Sequence, residues 1–171
     1  RQRQMCIRDR YITEQYQGSN KLEGKMALIS GGDSGIGRAV AIHFAREGAD
    51  VGIIYLDEDR DARRTQELVE REGRNCKLFK GDIRSEAFCK EVIEKFTRTS
   101  GRIDILVNNA AQQYPTSNFD NIDTEKMRKT FEVNIFSMFY LTMAAAEYMP
   151  RGGRIINTTS VTAYRGSKHL I

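Results

Sequence analysis

No stretch of the chain approaches the roughly twenty consecutive apolar residues that a membrane-crossing helix requires. The longest apolar run, residues 135–149, is broken by Ser137, Thr142 and Glu147, so no transmembrane span is expected. No apolar segment follows the arginines at positions 1, 3, 8 and 10, which leaves the start without signal-peptide character. Cysteine is scarce as well: Cys6, Cys76 and Cys89 make three in all, odd in number and far apart. That pattern fits neither a zinc-ligand set nor a disulfide scaffold, and points to reduced thiols in the cytoplasm. The two histidines add no metal site, since His43 reads as a core-edge residue of a helix and His169 falls alone in the last loop. Excess positive charge is also missing once it is located. Of the net +4, the first ten residues supply +3, so a basic face for nucleic acid is unsupported. No internal repeat, linker or low-complexity run divides the chain. With 40% hydrophobic and 29% charged residues it has the makings of one globular domain with a real core.

What is present is organised around Ser30-Gly31-Gly32-Asp33-Ser34-Gly35-Ile36-Gly37. An apolar run, residues 25–29, precedes it, and Ile36, Val40 and Phe44 recur behind it at helical spacing. This predicts a strand, a glycine turn and a helix. The first turn of such a helix exposes backbone N–H groups at the positive end of the helix dipole, which suits a pyrophosphate. Glycine leaves room for a close approach of the ligand. No Lys-Ser or Lys-Thr follows Gly37, so a P-loop is excluded.

Strand and helix then alternate. Residues 49–55, 76–80, 103–108 and 154–158 read as strands two to five. Helices are expected over 59–72, over 85–101 with Ser85 as N-cap, and over 123–149. In the last of these Met127, Phe131, Asn134, Met138, Leu141 and Ala145 share one predicted inward face. Near-continuous apolar strands in this alternation call for a parallel sheet covered on both faces. Right-handed crossovers give a three-layer α/β fold, doubly wound, with strand order 3-2-1-4-5 and the sequence ending after the fifth strand. Its C-terminal edge would gather the glycine turn, Asp57, Asp82, Asn108-Asn109 and Ser160. Asn134 interrupts an apolar helix face, so its amide needs a partner, the plainest being a neighbouring carbonyl.

Taken together, the glycine turn, Gly81-Asp82-Ile83, Asn108-Asn109-Ala110-Ala111, Asn134 and Thr159-Ser160 resemble the short-chain dehydrogenase/reductase family, with its Rossmann-type dinucleotide-binding domain. The wording of Gly31-Gly32-Asp33-Ser34-Gly35-Ile36-Gly37 and of Asn108-Asn109-Ala110-Ala111-Gln112-Gln113 is similar to its general-stress and glucose-dehydrogenase-like members. The resemblance implies an NAD- or NADP-dependent oxidoreductase that interconverts an alcohol and a carbonyl compound, in a cytoplasmic homo-oligomer, a tetramer by family habit. It implies a cofactor set of Ser30, Gly31, Asp33, Ser34, Gly35, Ile36, Gly37, Tyr55, Asp57, Asp82, Ile83, Asn108, Ala110 and Ala111. Within that set the glycines and Ile36 cradle the pyrophosphate, Asp82 accepts from the adenine amino group and the Ile83 backbone flanks the ring. Asn108 braces the sheet beside the adenosine, and Ala110 meets the ribose. Asn134 and Ser160 are the implied catalytic residues, one anchoring a proton relay and the other bonding the substrate oxygen.

Three features depart from that pattern. Ser30 stands where the family has threonine, and Ala111 where it has glycine. The family's acid/base Tyr-x-x-x-Lys follows the serine by about thirteen residues, two positions beyond Ile171. Tyr164-Arg165-Gly166-Ser167-Lys168 satisfies the spacing literally but lies too near Ser160 and contains a glycine. On this reading the 171 residues are an incomplete domain over 22–171, inactive alone, with apolar surface left uncovered. Residues 11–21 are polar and are expected to form an extended arm or a disordered lead-in. Residues 1–10 are set aside, because Met5-Cys6-Ile7-Arg8-Asp9 resembles a translated transposon sequencing adapter. The strand-two end leaves the choice of dinucleotide open, with Asp57 suited to a ribose and Arg60, Arg63 or Arg64 to a 2′-phosphate. Two alternatives stand beside the enzyme: a non-catalytic dinucleotide sensor or scaffold, and a flavodoxin-like phosphate binder.

Overall fold

In the central strand β1 (Met26–Ser30), Ala27 and Ile29 enter one hydrophobic cluster while Leu28 enters another, all three fully buried. A strand buried on both faces in this way needs cover on both. The computed structural model describes residues 15–116 and 118–166. The adapter-like residues 1–10 with Cys6, the start of the arm, Lys168 and His169 lie outside them.

Strands β1, β2 (Asp50–Tyr55), β3 (Cys76–Lys80), β4 (Ile105–Asn108) and β5 (Arg154–Asn157) pair in parallel in the order β3-β2-β1-β4-β5, as the alternation predicts. Helices α1 (Gly35–Arg46) and α2 (Asp59–Arg71) cover one face, packing Ala41, Ala45, Ala62 and Val69 onto Ile29, Val51, Ile53 and Val107. Helix α3 (Glu86–Ser100) and helix α5 (Ser137–Ala146) cover the other, where Val92, Ile93, Phe96, Leu141 and Ala145 meet Leu28, Ile54 and Leu106. Ser85 caps α3, its hydroxyl accepting from the Phe88 N–H at 3.2 Å, and Gly101 ends it at φ +71°. The fold is therefore three layers around a parallel sheet.

Two features differ from the sequence-based expectation. The long helix is three pieces: α4 (Thr124–Phe131), a π turn (Glu132–Phe136) and α5. A π turn adds one residue, which at 3.6 residues per turn shifts the phase of everything upstream by about 100°. Leu141 and Ala145 are buried as predicted, but α4 buries no residue, and Met127 and Phe131 are exposed. The arm also differs, since its described part is docked on the end of α1. Leu22 N–H donates to the Glu47 carbonyl at 2.8 Å, and the Glu47 carboxylate accepts from Tyr16 Oη, from Ser19 N–H at 3.0 Å and from Lys21 N–H at 3.1 Å. His43 sits beneath it as a satisfied core-edge residue, its Nδ1 donating to Ala39 O at 2.7 Å and its ring against Tyr16.

Candidate functional site

The residues after β1 are shaped by what a side chain would strike. Gly31 has φ +65°, and a Cβ there would lie 2.9 Å from Ala110 Cα. A Cβ on Gly37 would lie 2.0 Å from the Gly31 carbonyl oxygen, so the turn and the first turn of α1 are pressed together. Gly35, at φ +52°, has open space beside it. Ser34 precedes α1 in an extended conformation, but its side chain makes no capping bond, and the first turn of α1 carries no acidic residue. The N–H groups and the positive dipole end are thus left to whatever occupies the mouth, where Ile36 is exposed. Asp33 is partly buried there, and burial holds its carboxyl above the usual range.

The end of β4 is bound to this turn. Ser30 Oγ accepts from Asn109 N–H at 3.0 Å and Ala110 N–H at 3.1 Å. Asn109 Nδ2 donates to the carbonyls of Ser30 and Gly31, each at 3.2 Å, and its Oδ1 accepts from Thr158 Oγ1 at 3.2 Å. Asn109 therefore joins the glycine turn to the end of β5. Asn108 is buried and braces the same edge, its Nδ2 donating to Asn157 Oδ1 at 2.8 Å and Thr142 Oγ1 at 3.3 Å. Its Oδ1 is buried without a partner among the described residues. Ala111 is exposed at the same edge.

Asn134 lies within the π turn and holds the loop that continues from β4. Its Oδ1 accepts from Gln112 N–H at 2.7 Å and its Nδ2 donates to Gln112 O at 2.8 Å. A carbonyl is indeed its partner, but an N–H is too, so both ends of the amide bond one backbone residue. The π turn is stabilised locally: Ser137 N–H reaches the Glu132 carbonyl, and the buried Ser137 Oγ donates to Val133 O at 2.5 Å. That hydroxyl satisfies the carbonyl that an α-helical Ser137 N–H would otherwise have taken.

Ser160, beyond β5, is exposed, and its Oγ accepts from Thr162 N–H at 3.2 Å and Thr162 Oγ1 at 2.9 Å, capping a short 3₁₀ turn (Val161–Ala163). Those bonds use lone pairs and leave its O–H proton free to donate. Tyr164 follows with 90% of its surface exposed.

The adenosine-side residues fall at the ends of β2 and β3. Asp82 forms an Asx turn with Arg84 N–H at 2.9 Å, and its Oδ2 accepts from Arg84 Nε at 2.9 Å, so the guanidinium holds its carboxyl below the usual range. Ile83 is buried in the core. Tyr55 is buried, with its hydroxyl donating to Asp59 Oδ1 at 2.9 Å, while Lys80 Nζ donates to Asp59 Oδ2 at 2.7 Å. Burial, and then Asp59, raise the Tyr55 pKa. Asp57 is exposed.

Strand polarity brings all these positions to one edge of the sheet, where ligands of open α/β sheets bind. Of the linking residues, the sequence places Asn109 at this edge without a bonding role and does not single out Thr158, Asn157 or Gln112. Only the doubled asparagine hinted at them, because the bonds join positions 22 to 79 residues apart.

Residues 25–171 match a family model described as short chain dehydrogenase. The chain is 52% identical over 158 residues to the uncharacterized oxidoreductase YhdF of Bacillus subtilis (strain 168), covering 92% of this chain and 55% of that protein. It is 50% identical over 161 residues to General stress protein 39 of the same organism, covering 94% and 56%. It thus spans about half the length of the curated relatives it matches. Among solved structures, a short chain dehydrogenase from Burkholderia cenocepacia J2315 in complex with NADP is similar with a TM-score of 0.83 and 32% identity, over 87% of this chain and 60% of that one.

Proposed function

Because the chain belongs to the short-chain dehydrogenase family, we propose that it is the dinucleotide-binding part of an NAD- or NADP-dependent oxidoreductase acting on an alcohol or its aldehyde or ketone. The observation that carries this reading is the glycine turn. Gly31 is pressed against Ala110, Gly35 opens to space, and α1 begins uncapped and without an acidic residue. A dinucleotide bound there brings a nicotinamide that accepts or donates hydride. The backbone at Gly31, Gly35, Ile36 and Gly37 would hold its diphosphate, with Ser30 and Asn109 fixing the turn and Asp33 and Ser34 at its lip. Asp82 and the Ile83 backbone would hold the adenine, since a carboxylate bonded to Arg84 keeps further lone pairs for an amino group. Asn108, Ala110 and Ala111 would border the ribose, and Asp57, beyond the buried Tyr55, would take hydroxyls of the adenosine ribose.

Ser160 would donate its free O–H proton to the substrate oxygen, stabilising negative charge as it develops. Asn134 would hold the Gln112 loop against that region. Small alcohols or carbonyl compounds are the substrate class we propose, and the buried, unpaired thiols of Cys76 and Cys89 support a reducing, cytoplasmic setting. Among the described residues no helix is long and apolar enough to cross a membrane. Tyr164 follows Ser160 by only four residues and has Gly166 within its Tyr-x-x-x-Lys spacing, so it is not given the acid/base role, and the 171 residues are expected to bind dinucleotide without turning substrate over.

Calorimetric titration of the protein with NAD⁺ and with NADP⁺ tests the reading. One-site saturation by at least one of them, relieved by competing ADP, is the expected result. Heats no larger than dilution for both would overturn it.

A further inference from the structure

Arg38 is a cation 6% exposed, one residue beyond the glycine motif. Its Nε donates to Asp33 O at 3.0 Å and to Thr65 Oγ1 at 2.8 Å, and its Nη2 donates to Asp33 O at 2.5 Å and to Asp61 O at 3.1 Å. The single hydroxyl proton of the fully buried Thr65 is shared between the same Asp33 carbonyl at 3.0 Å and the Asp61 carbonyl at 3.2 Å. One peptide oxygen of the turn thus gathers donors from α1 and α2 together.

Resting on the dinucleotide reading, we infer that Arg38, with Thr65, is a positioning residue for the diphosphate. A trans peptide is planar, and its C=O and N–H point in opposite directions. Drawing the Asp33 carbonyl inward onto Arg38 and Thr65 therefore turns the Ser34 N–H outward, and Ser34 is exposed. The guanidinium also places a positive charge beneath the turn, countered by Asp61 Oδ1 at 3.4 Å on a half-exposed side chain. Because Asp61 and Thr65 belong to α2, which follows the Asp57 end of β2, the same side chain sets the distance between the diphosphate turn and the adenosine side. Lysine cannot replace it. A single ammonium lacks the planar fork that meets Asp33 O, Thr65 Oγ1 and Asp61 O at once.

The test compares NADP⁺ and NAD⁺ dissociation constants for wild type, Arg38→Lys, Arg38→Met, Thr65→Val and Thr65→Ser. Val40→Ala serves as a control that loosens α1 without touching the turn, and melting temperatures are recorded in parallel. We expect Arg38→Met to weaken binding by about tenfold or more and Thr65→Val by about threefold, as loss of charged and neutral hydrogen bonds implies. Arg38→Lys should recover little, whereas Thr65→Ser, which keeps the hydroxyl, should bind like wild type. The inference is overturned if binding in the Arg38 and Thr65 variants falls only as far as in Val40→Ala at equal loss of melting temperature, or if Thr65→Val binds like wild type. Thr65→Val keeps the question answerable if the Arg38 variants fail to fold. Failure of the wild type to bind either dinucleotide would overturn the dinucleotide reading itself, a different result from wild-type binding that the variants do not alter.

Discussion

Gly31 combines two demands that only glycine meets together: φ +65°, and a neighbour 2.9 Å from where a Cβ would stand. An alanine there accepts a left-handed conformation at about 1–2 kcal/mol and must also push Ala110 away. Gly31→Ala is therefore expected to destabilise the fold by about 1–2 kcal/mol or more, which thermal unfolding would read, and to weaken dinucleotide binding as far as the turn is displaced, which calorimetry would read. Asn134 supports a second prediction. Its two bonds to Gln112 satisfy both backbone groups of that residue, so Asn134→Ala leaves a donor and an acceptor unpaired at about 1–3 kcal/mol. Thermal unfolding should show the loss; an unchanged melting temperature would mean that water replaces the amide. At this scale the residues at the strand ends were legible in the sequence, because parallel strands place all their C-termini together. The relay through Asn109 and Thr158 was not, since only the β4–β5 register brings positions 49 apart into contact.

The helix following the glycine turn carries information at both ends. Its start is left open, and its far end is closed by the strap of residues 15–24 converging on Glu47. The Tyr16 hydroxyl, then the Lys21 and Ser19 N–H groups, stabilise that carboxylate and lower its pKa from 4.5 to about 2, against the opposing effect of burial. A carboxyl whose folded pKa is depressed contributes stability that is complete above its unfolded pKa and is lost as pH falls toward the folded value. Stability should therefore decline as pH drops from about 4.5 to about 2, and Glu47→Gln should flatten that limb while lowering the melting temperature at neutral pH. Chemical denaturation at a series of pH values would check both. If the two proteins lose stability in parallel, the strap is not held by this charge. Sequence patterns could not reveal the strap, whose contacts rest on lone polar residues about thirty positions from their partner. They also missed the π turn, because a count at 3.6 residues per turn assumes unbroken phase. Strand order and layer assignment, by contrast, follow from alternation and crossover handedness alone.

Across the whole molecule the centre of the sheet and its β5 edge are finished unequally. The β1 and β2 region is buried on both sides, whereas all four residues of β5 are exposed, Ile155 and Ile156 among them. Met127, Phe131, Ile135, Phe139 and Met143 also recur at every fourth position along α4, the π turn and α5, and each is exposed. The uncovered apolar surface foreseen from the sequence is thus present, though α4 contributes more of it than an inward-facing helix would have. Exposed apolar surface of this kind drives association once concentration is high enough to repay lost translational freedom. The 171 residues are accordingly expected to self-associate at tens of micromolar, seen in sedimentation velocity as a boundary that speeds up with concentration. Phe139→Glu combined with Met143→Lys should shift association to higher concentration and leave dinucleotide binding unchanged, because both side chains are exposed to solvent and neither takes part in the bonds that fix the glycine turn. A chain that stays monomeric throughout, or a double variant that associates like wild type, would show that this stripe does not govern contacts between copies.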